Sequence, residues 1–132
     1  MNISLTSNEL EIMELMWEKD RPLSRAEIIK FSPNSSWKAS SIHILLNKLL
    51  EKGAIEVHGF VKTGKNYGRT YSPLIAQEAY ITAQFRQNPY YAKPSATTAV
   101  FSALLQNDGI DDSVIEELEQ MLNDRKQRGG KK

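Results

Sequence analysis

The stretch Gly59-Phe60-Val61-Lys62-Thr63-Gly64-Lys65-Asn66 comes within one residue of G-x-x-x-x-G-K-[ST], the pattern of loops that cradle nucleotide phosphates. Two features remove it. Asn66 stands where a hydroxyl should reach magnesium, and a strand-like run follows where a phosphate-holding helix N-terminus should begin. His43 and His58, the two histidines, have no carboxylate or second histidine at ligand spacing. The absence of cysteine excludes disulfides, thiolate catalysis, iron–sulfur clusters and sulfur-built zinc sites. No serine lies in a nucleophile-elbow sequence, and the acid pairs Asp111-Asp112 and Glu116-Glu117 fall in the first turns of an expected helix, where its dipole favours negative charge. The expectation is a non-enzymatic protein with no metal site and no cofactor.

What these residue types do suit is a polyanion. Net charge is only +1, which taken alone argues against nucleic acid, but the charge is unevenly spread. From Met1 to Trp37 there are four basic and six acidic residues; from Lys38 to Arg69 there are six basic and two acidic, a local excess of +4. Lys38, Lys48, Lys62, Lys65 and Arg69 are fitted to phosphate, because each phosphate neutralised releases counterions. Ser40 and Ser41 can bond a phosphate or a base edge, or else serve the local backbone. Ile44 can meet a thymine methyl, and Asn47 carries an amide able to read adenine.

Three helices and a hairpin must position them. Thr6 with Glu9, and Ser24 with Glu27, each make a capping box, flanked by the hydrophobic staples Leu5/Leu10 and Leu23/Ile28. The first helix stops at Asp20-Arg21-Pro22, and the second ends before Ser32-Pro33. A third is expected from about Ala39 to Lys52, closed by Gly53, with Ile42, Leu45, Leu46, Leu49 and Leu50 as its buried stripe. Ser40, Ile44, Asn47 and Lys48 then look outward. Ala54 to Phe60 and Arg69 to Ser72 read as strands joined by a glycine-punctuated loop, residues 61–68, with a basic tip. Three helices followed by a hairpin is the order of a winged helix-turn-helix, whose third helix enters the major groove of DNA.

After Pro73 come three more helical patterns, near Ile75 to Arg86, Ser95 to Gln106 and Asp111 to Arg125, with Asp111 or Asp112 as a cap for the last. Pro89-Tyr90-Tyr91-Ala92-Lys93-Pro94 reads as a stiff connector between two of them. Phe85, Val100, Phe101, Leu104 and Leu105, with Ile115, Leu118, Met121 and Leu122, make more apolar surface than three short helices can bury among themselves. A second copy is the simplest cover. The expected architecture is mainly α with a small β-hairpin: a winged helix-turn-helix over residues 1–73, a helical dimerisation segment over 74–126, and a flexible basic tail over 127–132. No run approaches the roughly 20 apolar residues that span a bilayer, so a cytoplasmic protein with no membrane partner is expected.

Leu5-Thr6-Ser7-Asn8-Glu9-Leu10 through Met16-Trp17, Ser36-Trp37, Ser41-Ile42-His43 through Lys52-Gly53-Ala54, and Gly68-Arg69-Thr70-Tyr71-Ser72-Pro73 together resemble the penicillinase and methicillin-resistance repressors and their copper-responsive relatives, the BlaI/MecI/CopY family. The resemblance spans about the first 75 residues well, and the remainder only by pattern. It implies a homodimer held by C-terminal helices, two winged helices on a palindromic double-stranded operator, and DNA contacts at Ser40, Ser41, Ile44 and Arg69. Relatives inactivated by a sensor protease are cut at an Asn-Phe bond, where this chain has Ala103-Leu104. Copper-responsive relatives carry a C-terminal cysteine cluster, absent here. An effector or a sensor protease as the relieving partner stays open, as does a winged-helix module that docks a protein and ignores DNA.

Overall fold

The computed structural model describes residues 3–89 and 93–129. Its elements are α1 (Ser7–Lys19), β1 (Leu23–Ser24), α2 (Arg25–Lys30), a 3-10 turn (Ala39–Ser41), α3 (Ile42–Glu51), β2 (Ile55–Thr63), β3 (Asn66–Pro73), α4 (Gln77–Gln87), α5 (Pro94–Leu105) and α6 (Asp112–Gly129). They fall into two compact units, Met1–Gln87 and Asn88–Lys132. Mainly helical with one small antiparallel sheet, this is the expected fold class.

Both capping boxes form. The Thr6 hydroxyl accepts from the Glu9 amide at 3.2 Å while the Thr6 amide donates to the Glu9 carboxylate at 2.7 Å. Ser24 and Glu27 repeat the exchange at 3.2 and 3.0 Å, and Arg21 pairs with Glu27 at 2.8 Å. Because Ser24 is buried and also pairs with Thr70 in the sheet, Ser24→Ala is expected to cost about 1 kcal/mol, read as a lower urea midpoint with unchanged slope. At the end of α3 the Ala54 amide reaches the Leu49 carbonyl (3.0 Å) and the Gly53 amide the Leu50 carbonyl (3.1 Å), with Gly53 at φ 75°. That pair of bonds is the Schellman closure, which needs a left-handed residue between helix and strand.

The sheet has the order β1-β3-β2, all antiparallel. The hairpin differs from the sequence expectation in two ways. Its strands run on to Thr63 and from Asn66, so the connection is only Gly64-Lys65, with Gly64 at φ 65° and Lys65 not left-handed, as in a type II′ turn. Gly68, read as loop punctuation, lies within the ladder opposite Val61, and its backbone bonds form whatever the side chain. The second difference is a bulge at His58: Val57 pairs with Tyr71 and Gly59 with Thr70.

The first unit's core gathers Ile12, Met13 and Met16 of α1, Leu23, Ile28 of α2, Leu46 and Leu49 of α3, and Ile55 of β2. Beside it Glu9, only 1% exposed, receives Lys52 Nζ at 2.5 Å, and the same ammonium donates to the Ser4 carbonyl at 2.8 Å. Burial pushes the Glu9 carboxyl up, but the Lys52 hydrogen bond and charge and the Thr6 amide outweigh it and hold the group below its usual range.

The helix after Pro73 is where the expected division at residues 73 and 74 and the observed one part company. α4 stays with the first unit: Tyr80 and Ile75 are buried, the Trp17 indole N–H donates to the Ile75 carbonyl at 2.9 Å, and the Trp17 and Tyr80 rings lie 5.9 Å apart. The physical reason is an unpaired indole and an apolar end of α1 that the winged helix alone leaves open. In the second unit Pro94 opens α5, and Asp111 caps α6 by accepting the Val114 amide at 3.1 Å. Hydrogen bonds from the Ser113 hydroxyl and the Val114 amide hold the Asp111 carboxyl below its usual range. α6 continues through Gly129, into the stretch expected to be a flexible tail; residues 130–132 lie outside the described residues, as does the Tyr90 to Ala92 part of the connector. Among the described residues no helix is long and apolar enough to cross a membrane.

Candidate nucleic-acid interface

α3 is the organising element. Ile42, Leu46 and Leu49 turn into the core, which by the 3.6-residue period forces Ile44, Asn47 and Lys48 outward. Ile44 is 63% exposed, an isoleucine held in water on the side of a helix whose other face is dry. The chain approaches α3 along a fixed path: Trp37 is buried, the Ser35 hydroxyl donates to the Trp37 carbonyl at 2.7 Å, and the Ser36 amide donates to Glu11 at 3.1 Å. Lys38 then opens the 3-10 turn in an extended conformation, and its carbonyl accepts the Ser41 amide at 2.8 Å.

The serines were expected to serve either DNA or the local backbone. Ser41, at the N-cap of α3, makes no side-chain capping bond; it is half-buried, and Ser40 is exposed. Lys38, Asn47 and Lys48 are exposed on or just before α3, while Lys62, Lys65 and Arg69 are exposed on the hairpin. All nine residues singled out for DNA thus belong to the first unit, six on α3 or the short stretch that leads into it and three on the β2-β3 hairpin. Arg25, at the start of α2, was missed by the sequence reading. Its guanidinium meets the ring of His43 on the first turn of α3, bringing one more cation to this side of the unit; eighteen residues separate the two, so no local pattern links them.

The nucleotide-loop pattern folds as strand, turn and strand, with Asn66 opening β3. Among the described residues no group of three or more histidine or acidic side chains is placed to hold a metal. In the second unit α5 and α6 bury not one described residue: Phe101, Leu104, Leu105, Ile115, Met121 and Leu122 are exposed, while Val100 and Leu118 are half-buried. Phe85 belongs to α4 of the first unit and is half-buried. Ala103-Leu104 lies in the last turn of α5.

A family model described as penicillinase repressor matches residues 5–124. The penicillinase repressor of Bacillus licheniformis is 30% identical over 127 residues, covering 94% of this chain and 93% of that protein. Among solved structures, the solution structure of monomeric Bacillus licheniformis BlaI with the blaP half-operator is 29% identical over 58% of this chain and 88% of that one, at a TM-score of 0.43. The zinc-responsive MarR family member ZitR of Lactococcus lactis is 17% identical over 97% of this chain and 78% of that one, at 0.44.

Proposed function

This chain belongs to the penicillinase repressor family, whose members are DNA-binding transcriptional repressors and not enzymes, and on that premise we propose that it represses as a homodimer on a palindromic operator. α3 lies in the major groove, with Ser40, Ser41 and Ile44 toward the bases and Asn47 toward the groove wall. Lys38, Lys48, Lys62, Lys65 and Arg69 neutralise phosphates. The observation that carries the reading is the uncovered outer side of α3, where an isoleucine is kept 63% exposed between serine and lysine within a stretch, Lys38 to Arg69, that has a local excess of +4. The homodimer is supported by α5 and α6, which without a second copy leave Phe101, Leu104, Met121 and Leu122 at least half in water.

Selecting bound sites from a random duplex pool tests both parts, since a dimer of winged helices returns an inverted repeat with half-sites about one helical turn, or a multiple, apart. On the selected site, Lys48→Ala with Arg69→Ala is expected to weaken binding to every sequence and lower the salt slope by roughly one unit for each phosphate no longer neutralised. Ile44→Ala leaves that slope alone and relaxes sequence preference. An unchanged slope in the double variant counts against the phosphate assignment.

A further inference from the structure

The wing has two unlike faces, and the bulge decides which residues share them. Side chains alternate along a strand, and directly paired residues point to the same side. Ile55 and Tyr71 are buried, so the side they occupy looks toward the core. Without the bulge at His58, Gly59 would follow Val57 on that side; with it, Phe60 does, opposite Arg69, and Lys62 follows, opposite Tyr67. Beyond the core this face therefore continues as Phe60, Arg69, Lys62 and Tyr67, two rings and two cations in a checkerboard. The reverse face carries Gly59, Val61, Gly68 and Thr70.

Phe60 is 70% and Tyr67 72% exposed, so the neighbouring cations do not cover either ring. From Val57 to Tyr71 the chain has three cations and no carboxylate, a composition complementary to a polyanion with apolar surface between its charges. We propose that this face of the wing, through Phe60 and Tyr67, packs into the minor groove next to the major-groove site of α3, while Lys62 and Arg69 hold the phosphates on either side. It rests on the repressor reading and adds to it an aromatic contact that extends the recognised site beyond the bases α3 can touch. The bulge is the device that aims Phe60 there.

The test uses the full chain and the duplex selected by the wild type. Phe60→Ser with Tyr67→Ser removes both rings and no charge, at positions whose exposure leaves folding intact. In a hydroxyl-radical footprint, the wild type is expected to protect deoxyriboses of the flanking minor groove; the double variant loses that protection, binds about tenfold more weakly, and keeps the wild-type salt slope. Val61→Ser, on the reverse face, leaves footprint and affinity unchanged. An identical footprint and affinity in the double variant overturns the proposal, as does an equal loss in Val61→Ser. So does a double variant whose oligomeric state changes while its flanking protection stays, which would assign the rings to a second copy. A wild-type chain that retards no duplex at low salt is a different result, and overturns the repressor reading beneath this one.

Discussion

Ended at Gln87, the chain is expected to fold as a monomer, and ended at Pro73 it is expected to lose much of its stability. The longer truncate keeps Ile75 and Tyr80 buried, the Trp17 bond to the Ile75 carbonyl, and the Gln84 amide bond to the Ile3 carbonyl at 3.2 Å. The shorter one exposes the end of α1 and leaves the Trp17 indole N–H without its partner. Two buried side chains and a hydrogen bond amount to about 4 kcal/mol, a large share of the roughly 5–15 kcal/mol that holds a domain together. Urea unfolding of the two truncates measures this difference; equal midpoints would mean that α4 is no part of the core. The Gln87 truncate also lacks α5 and α6, so on the proposed dimer its affinity for the full operator should fall by about 100-fold or more as the linked second site is lost. Sedimentation and a shift titration read both effects. A Gln87 truncate that still sediments as a dimer would put the interface in the first unit.

The second large effect concerns Glu9 and Lys52. Lys52→Met strands a carboxylate that is 1% exposed with only its Thr6 bonds, and is expected to cost on the order of 3 kcal/mol at pH 7. Glu9→Gln combined with Lys52→Met should cost clearly less than Lys52→Met alone, because no buried charge is then unmatched. The pH dependence has a definite sign. In the wild type the folded carboxyl lies below its ordinary 4.5, so its contribution is present above that value and fades as pH falls through the folded one. In Lys52→Met the burial that raises the carboxyl goes unopposed by the ammonium, so Glu9 takes up a proton more readily and the deficit against the wild type should shrink on acidification. Urea midpoints of both proteins at neutral and mildly acid pH measure it. A deficit that stays constant over that range would mean Glu9 is not the stranded charge.

Glu9 also shows where reading a sequence stops. Its place in the capping box with Thr6 is a matter of three residues and was legible; its pairing with Lys52 joins positions 43 apart and was not. The candidate site divides in the same way. The outward turn of Ile44, Asn47 and Lys48 follows from the helical period once the leucines face inward. Arg25 against His43 depends on how α2 lies against α3, and no spacing announces it. On the wing, Lys62 and Arg69 stood out by charge, whereas Phe60 and Tyr67 passed unnoticed because a strand's two faces are known only once its register is known.

Whatever is decided within one or two turns of chain was written in the residues: two helix starts in Thr6/Glu9 and Ser24/Glu27, the stop at Gly53, the stripe of α3, the local positive charge. Such features depend on neighbours three to five positions apart, whose geometry the backbone itself constrains. Long-range packing alone settled the pairing of β1 with β3, the bulge that brings Phe60 to the core-side face, the docking of α4 through Tyr80 and the burial of Glu9 against Lys52. In each of those cases the energy comes from removing surface or charge from water between distant segments, and a string of residues does not say which segments will meet.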